Sequence, residues 1–172
     1  MRVYVASTKG GLNLLRHSGF SAPFVAHAVT GALREWYAEG DADELEYAAS
    51  ADAADASLRL LVAGEPCRRV VVAAEVPDAW VQPHASSPSS VPSSVLVSSA
   101  LTLDRVVSVH LDDADAEADL LAAVAALSAA DAGDEDARFT VDGAQGHELL
   151  WYDVTELDDV LSDQTEAHPW TL

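Results

Sequence analysis

The stretch CRRVVVAAEV, residues 67–76, decides the fold. It is almost continuously apolar, and its β-branched valines favour an extended strand over a helix. Strands of this composition are typical of positions that are buried on both faces of a sheet. The stretch therefore predicts a central strand, around which the other elements must pack.

Strand and helix patterns alternate upstream of this stretch. Gly40 interrupts a long helical region, and Asp41 or Asp43 is placed to cap its second part. Thr30 is placed to cap its first part. The predicted elements are strands at 2–7 and 24–30, a short helix within 8–19, and the helical region from 32 to about 62.

Downstream, the helical stretch 112–130 begins with acidic residues, which are favourable near the positive end of the helix dipole. The remaining predicted elements are one or two strands within 94–111, strands at 137–141 and 148–154, and a short helix at 155–162. Together they predict a single domain spanning 1–172. Its fold is an α/β sandwich, in which helices pack on a mixed sheet of about five strands.

Two segments are expected to lie outside the packed core. Residues 85–94, ASSPSSVPSS, offer little apolar surface to offset the entropy of ordering, so we expect a mobile loop there. The tail at 163–172 is expected to be loose. The loop does not divide the domain, because the pieces on either side are too short to fold alone.

The chain is strongly acidic, with 29 Asp and Glu residues, nine Lys and Arg residues, and a formal net charge of −20. Eighteen of the acidic residues and two of the basic ones lie in residues 87–172. Such a surface repels phosphate backbones, which argues against nucleic-acid binding. The expected partner is a protein with a basic surface, although solubility alone is the simpler reason for the charge.

The sequence favours a cytoplasmic protein that does not associate with a membrane. Its first residues lack the long apolar core of a signal peptide, and no run of about 18 apolar residues could cross a bilayer. Cys67 is the only cysteine, which excludes an intramolecular disulfide and a cysteine-based zinc site. No cofactor is predicted, and the oligomeric state is left open.

Two Trp-Tyr pairs are the most distinctive side chains: Trp36–Tyr37 on a predicted helix and Trp151–Tyr152 on a predicted strand. Large aromatic surfaces are scarce in this alanine-rich chain, so we expect the pairs to anchor the core. The alternative is that Trp36, Trp151 and Tyr152 line a ligand pocket. The two interpretations differ in whether the indoles are buried.

Few residues are candidates for acid and base chemistry. The candidate catalytic residues are His27 on a predicted strand, Glu35 on the predicted helix, and Asp153 after the second Trp-Tyr pair. The chain has neither a Gly-x-Ser-x-Gly nucleophile elbow nor a His-Glu-x-x-His zinc helix. In HELLW, residues 147–151, Trp151 stands where the second His of the zinc motif would be.

The segment STKGG, residues 7–11, follows a strand and opens a helix, where backbone amides can hold an anion. It lacks the Walker spacing and the dinucleotide glycine pattern, and Gly-Gly is also ordinary turn chemistry. The residues of an anion site here would be Thr8, Lys9, Gly10 and Gly11.

His110 and Asp112 are the candidates for metal binding. On a strand they point to the same face, and a His-carboxylate pair suits zinc, manganese or iron. The acidic residues that follow lack the central glycine and closing glutamate of a calcium loop. Helix capping and the helix dipole explain those acids without a metal.

Five segments outside the Ser/Pro loop carry a resemblance: RVYVAS, AHAVTGALREWYAEGDADELEYAA, RRVVVAAEVPDA, RVVSVHLDD and HELLWYDVTEL. They resemble an uncharacterised family of small acidic actinobacterial proteins, a domain of unknown function. The resemblance implies one intact domain from a bacterial cytosol and carries over no functional residue.

Two functions remain open at this point. The first is a non-enzymatic, acidic module for protein interaction or regulation, which recognises a protein through the charged second half of the chain. The second is a small-molecule enzyme or sensor with a pocket near His27, Trp36 and Trp151. Convergence of His27 with Asp153 or Glu35 in a pocket beside the tryptophans favours the second, and scattering of these side chains favours the first.

Overall fold

A seven-stranded antiparallel sheet forms the centre of the molecule. The structure is a computed structural model that describes residues 1–61, 67–84 and 91–162. The strand order across the sheet is β4-β5-β2-β1-β3-β6-β7. The strands are β1 (Arg2–Ser7), β2 (Phe24–His27), β3 (Val70–Glu75), β4 (Val81–Pro83), β5 (Ser94–Val97), β6 (Val106–Asp112) and β7 (Leu149–Asp153).

The central strand predicted from residues 67–76 is confirmed as β3, which pairs with β1 on one side and β6 on the other. Val70 and Val72 point to one face of the sheet, and Val71 and Ala73 point to the other. All four side chains are buried, because helices cover β3 on both faces. The continuous apolar run thus reflects burial on two sides.

Six α-helices among the described residues complete the sandwich. α1 and α6 pack on the face that carries Val70, which we call the α1 face, and α2 and α3 pack on the opposite one, the α3 face. α4 and α5 pack against each other beside the end of α3. The helices are α1 (Lys9–Ser18), α2 (Gly31–Trp36), α3 (Ala42–Leu58), α4 (Glu117–Asp131), α5 (Glu135–Gly143) and α6 (Leu157–Ser162).

Side-chain caps define the two helices of the α3 face. Thr30 Oγ1 accepts a hydrogen bond from the Leu33 amide at 3.0 Å, which confirms the predicted cap of α2. Asp41, rather than Asp43, caps α3: its carboxylate accepts from the Glu44 amide at 2.9 Å. Glu44 in turn accepts from the Asp41 amide at 3.1 Å, which completes a capping box.

Two features of the predicted sheet are corrected, although the α/β sandwich itself is confirmed. The sheet has seven strands, all antiparallel, where a mixed sheet of about five was predicted. The segment 137–141, predicted as a strand, lies in α5. Asp134 accepts a hydrogen bond from the Ala137 amide at 2.9 Å, so a helix cap outweighs the strand propensity of Phe139 and its neighbours.

The predicted Ser/Pro loop is described only in part. Residues 85–90 and the tail 163–172 lie outside the described residues. Ser93 and Ser94 are buried, and β5 begins at Ser94, so the end of the predicted loop belongs to the packed domain. The Ser93 hydroxyl and the backbone groups of both residues find partners there, which a purely compositional argument does not anticipate.

Candidate functional site

Both tryptophans of the Trp-Tyr pairs are exposed, which corrects the prediction that they anchor the core. Trp36, the last residue of α2, is 74% exposed, and Trp151 on β7 is 59% exposed. α2 has six residues, of which only Leu33 is buried, so it offers little surface to cover Trp36. Trp151 pairs with His110 near the edge of the α3 face, where it remains largely open to solvent.

The two tryptophans line different grooves. Trp36 and Glu35 line a groove of about 540 Å³ together with Pro83 and Pro92. Trp151 lines a larger groove of about 1440 Å³. Tyr152 points to the opposite face and packs against the core there. The three aromatic residues predicted for one pocket therefore do not share one.

The larger groove lies between α3 and the β6–β7 edge of the sheet, and we call it the acidic groove. Among the described residues, seven carboxylates line it, against the single guanidinium of Arg69. Four aromatic side chains share the lining. The carboxylates are those of Glu39, Asp43, Glu44, Glu46, Asp52, Asp55 and Glu148, and the aromatic residues are Tyr4, Tyr37, Tyr47 and Trp151.

α3 provides most of these carboxylates because its two sides differ. Ala49 and Ala53 face the sheet, where their small side chains allow the helix to pack closely against β1 and β3. Asp52 and Asp55 are spaced by three residues, so they lie one above the other along the groove. Tyr47 is 69% exposed near the start of the helix.

A buried ion pair forms the floor of the acidic groove. Arg69 and Asp112 have side chains that are 2% and 0% exposed. The guanidinium donates two hydrogen bonds to the carboxylate, at 2.9 and 2.8 Å, and the Arg69 amide donates a third at 2.7 Å. Arg69 Nη2 also donates to the carbonyl of His147 at 2.7 Å. This bidentate geometry neutralises the only guanidinium of the lining.

Asp55 lies above this floor. Burial raises the pKa of its carboxyl group, against the opposing attraction of Arg69. Gln145 Nε2 donates a hydrogen bond to Asp55 Oδ2 at 3.0 Å. Asp55 is thus held between α3 and the turn that precedes β7, and its charge is less favourable than that of an exposed aspartate.

His110 is a second titratable group in the groove. Burial lowers the pKa of its imidazole, which favours the neutral form near pH 7. Its Nε2 lies 3.1 Å from Ser108 Oγ, two residues away on the same face of β6. His110 therefore adds little positive charge to the groove at neutral pH.

Some of the groove carboxylates already bind other residues of the chain. Glu46 accepts from the Tyr4 hydroxyl at 3.0 Å and pairs with Arg2 at 3.4 Å. Burial, together with the bond to Glu46, raises the pKa of Tyr4 to about 12, so the phenol remains a neutral donor. Asp52 accepts from the Ser93 hydroxyl at 2.6 Å.

Three carboxylates of the acidic groove, in contrast, have no hydrogen bond or ion pair with another residue in the described ranges. They are those of Glu39, Asp43 and Glu148. All three side chains are exposed. These are the groups that a ligand entering the groove can engage without breaking an existing contact.

The candidate catalytic residues do not converge. His27 is buried, burial lowers its pKa, and its Nδ1 lies 2.9 Å from Ser93 Oγ. Asp153 caps the turn after β7, where hydrogen bonds from the backbone and hydroxyl of Thr155 lower the pKa of its carboxyl group. Glu35 lines the other groove. The three candidates therefore do not form one site.

At the predicted anion site the chain caps its own helix. Thr8 Oγ1 accepts a hydrogen bond from the Gly11 amide at 3.1 Å, and α1 begins at Lys9. The hydroxyl of Ser7 occupies the space that a Cβ atom at Gly11 would need. The amide that was predicted to face an anion thus has an internal partner, which explains the Thr-x-Gly-Gly pattern as a capping turn.

The pair predicted to bind a metal is also in contact with other residues of the chain. His110 and Asp112 do share a face of β6, but both carboxylate oxygens of Asp112 bind Arg69. Within residues 1–61, 67–84 and 91–162, no group of three or more His, Cys, Asp or Glu side chains is arranged to hold a metal ion. Burial raises the pKa of the Cys67 thiol, which disfavours the reactive thiolate.

Sequence reasoning missed the acidic groove itself. Its signals were present: Asp52 and Asp55 at helical spacing, and an arginine, Arg69, at the start of the most apolar strand. The partner of Arg69 lies on another strand, and only the pairing of β3 with β6 brings Asp112 beside it. A charge at such a position is a sign of a buried pair.

Comparisons with known proteins address the family and leave the activity open. In the described part of the chain, no helix combines the length and the apolarity that a bilayer crossing requires. Neither the curated proteins nor the solved structures include a match. The family of unknown function DUF6912 matches residues 1–161, which confirms the resemblance to an uncharacterised family. The chain therefore belongs to the DUF6912 family.

Proposed function

We propose that this chain is a non-enzymatic, cytoplasmic interaction module whose acidic groove binds a basic segment of another protein. The observation that carries the proposal is the exposure of Trp151 and Tyr47 in a groove lined by seven carboxylates. The two rings are not needed for the fold, because they lie largely outside the core.

The aromatic side chains support a protein partner. Trp and Tyr are enriched at the centres of protein interfaces, where they provide large contact areas with few rotatable bonds. The face of an indole or phenol ring also attracts a guanidinium or ammonium group. Trp151, Tyr37 and Tyr47 are all at least 46% exposed, so a basic side chain can reach them.

The charges support a basic partner. Glu39, Asp43 and Glu148 lack internal partners among the described residues, and Arg69 is already neutralised by Asp112. Six of the seven groove carboxylates come from residues 39–55. The acidic surface that we assign to binding thus lies mainly in the first half of the sequence, although more of the chain's acids lie in the second half.

Binding of a short peptide in which Arg and Thr alternate tests the proposal, with a Glu-Thr peptide of the same length as the negative control. We expect the Arg-Thr peptide to bind and its affinity to fall with salt, because exposed charges are screened. Trp151→Ala should weaken binding by about 2 kcal/mol, the size of an interface hot spot.

A matched pair of double variants separates the groove from the general acidity of the chain. Glu39→Gln with Asp43→Asn removes two charges from the groove, and Glu135→Gln with Asp136→Asn removes the same two residue types from the exposed first turn of α5. We expect the groove variant to bind about fivefold more weakly and the α5 variant to bind almost normally. Equal losses in both would mean that the peptide senses only net charge, and would refute the proposed site.

A second candidate function is small-molecule binding in the same groove, as in an enzyme or sensor. It is favoured by the raised pKa of Asp55 and the lowered pKa of His110, since shifted titrations in a cleft are frequent at active sites. A thermal-shift screen with organic cations and metabolites tests it, because a ligand of the folded state raises the melting temperature. A metabolite that stabilises the protein while the Arg-Thr peptide does not would favour this candidate over the first.

A further inference from the structure

The two edges of the sheet differ in how well they are protected. β4 has only three residues and ends at Pro83, both of which discourage a further strand. β7 has five residues without Pro or Lys, and pairs with β6 without a register shift. Leu150 and Trp151 on β7 are exposed. β7 therefore lacks the short length and the proline that protect β4, and the charges at its ends, Glu148 and Asp153, are negative.

The hydrogen-bond pattern shows which backbone groups of β7 point outward. The Asp112 amide donates to the Arg69 carbonyl, so Asp112 and His110 direct their backbone groups towards β3. The residues between them direct theirs towards β7, where Leu111 pairs with Leu150. It follows that the N–H and C=O groups of Trp151, which pairs with His110, point away from the sheet.

A second contact agrees with this assignment. The amide of Asp153, two residues after Trp151, donates to Glu156 Oε2 at 2.8 Å rather than to β6. Alternate residues of an antiparallel strand direct their backbone groups to the same side. The outward amide of Asp153 is thus satisfied by a cap, and the described residues include no strand that pairs with the outward groups of Trp151.

We infer that β7 accepts the basic segment as an added strand, so that backbone hydrogen bonds to Trp151 fix the segment and the acidic groove selects its side chains. This inference rests on the proposed function and adds a binding mode to it. Strand addition obtains affinity from the main chain and specificity from alternate side chains. Every second side chain of such a strand would lie on the α3 face beside the indole of Trp151, with Glu148 close by in the chain.

The charges beside β7 favour a basic segment over a second copy of the chain as the added strand. Pairing of two β7 strands would bring together two molecules of formal charge −20, with Glu148 and Asp153 at the ends of each strand. Like charges opposed across a strand pair are destabilising. A basic strand instead brings opposite charges to the same positions.

Hydrogen exchange of individual amides in the unmodified protein, with and without the Arg-Thr peptide, tests the inference. In the free protein we expect the amide of Leu150 to be protected by β6 and that of Trp151 to exchange faster. Saturating peptide should slow exchange at Trp151 by about tenfold or more and change Leu150 much less. Peptide binding without protection at Trp151 would overturn strand addition and leave the proposed function intact, whereas no binding would overturn both.

Two variants provide a second readout. Trp151→Ala removes the indole, and Trp151→Pro removes the indole and the outward N–H, a change that edge strands tolerate. We expect Trp151→Pro to bind the peptide about fivefold more weakly than Trp151→Ala, with circular dichroism confirming that both are folded. Equal affinities would contradict strand addition. Protection of Trp151 that rises with protein concentration in the absence of peptide would instead identify a second copy as the occupant.

Discussion

The floor and the rim of the acidic groove both contain carboxylates, but in opposite surroundings. At the floor, Arg69 and Asp112 are almost completely buried and hold each other by two hydrogen bonds. At the rim, Glu39 and Asp43 are exposed and have no partner among the described residues. The comparison teaches that position relative to solvent, more than residue type, separates groups that stabilise the domain from groups available to a ligand.

A second arginine-aspartate pair provides the matched case outside the groove. Arg59 and Asp131 join α3 to α4 with two hydrogen bonds of 2.9 and 3.0 Å, nearly the same geometry as at the floor. Their side chains are 54% and 58% exposed. Exposed pairs of this kind contribute little, because water and salt compete for both charges.

The largest expected effect is at the floor. Asp112→Ala leaves the buried guanidinium of Arg69 without its counter-ion, and we expect it to lower the free energy of unfolding by about 3 to 5 kcal/mol. Chemical denaturation measures the loss. Asp131→Ala is the control and should hardly move the unfolding midpoint. A similar result for both variants would mean that burial does not separate the two pairs.

At the rim we expect a small effect on stability and a larger effect on peptide binding. Trp151→Ala should change the free energy of unfolding by about 1 kcal/mol or less, because the ring is largely exposed. The same variant should weaken the binding free energy of the Arg-Thr peptide by about 2 kcal/mol. Acrylamide quenching of a variant that retains only Trp151 checks the exposure directly. Leu111→Ala, on the neighbouring strand, is the buried control and should cost about 2 to 5 kcal/mol of stability. Emission from Trp151 that acrylamide does not quench would show that the indole is buried in the core.

Asp55 lies between floor and rim, and its effect depends on pH. Its pKa is raised in the folded state, so the folded protein holds this proton more tightly than the unfolded chain. Stability contributed by the protonated form is therefore lost as pH rises from the ordinary aspartate range through the raised pKa. We expect the stability of Asp55→Asn relative to the unmodified protein to increase over that window in denaturation at several pH values. A decrease would mean that Arg69 outweighs burial.

The smallest effect concerns the repulsion among the rim carboxylates. Moderate salt should raise the melting temperature slightly, because counterions screen like charges on a chain of formal charge −20. The double variant Glu39→Gln with Asp43→Asn should respond less to salt than the α5 variant with Glu135→Gln and Asp136→Asn. An identical salt response would show that the rim is no more crowded with charge than the rest of the surface.

Much of the fold could be predicted because its signals are local. The apolar run of β3, the cap at Thr30 and the break before α3 are each encoded within a few residues. The short strand β4 was not predicted, since a strand of three residues carries little periodicity. Residues 137–141 show that strand propensity alone is not decisive, because the cap at Asp134 places them in a helix.

The candidate site was less predictable because it depends on contacts between distant segments. The choice between core and surface for Trp36 and Trp151 turned on how far the helices extend over the sheet, which no local pattern encodes. Composition marks these rings as large aromatic surfaces, but their burial depends on neighbours from other elements. The proposals for Thr8 and Asp112 had the right local geometry, but Thr8 caps its own helix through the Gly11 amide and Asp112 binds the distant Arg69.

The contacts of Arg69 set an order of events when the chain is synthesised. Its guanidinium binds a carboxylate 43 positions later and a carbonyl 78 positions later. Until both have left the ribosome, a nascent chain carries an arginine beside its most apolar strand with no means of burying it. Such a chain is exposed to unwanted pairing of β3, and contacts of long sequence separation form late. The ion pair can therefore form once Asp112 has been made, but the buried contacts of Arg69 are complete only after His147 has followed.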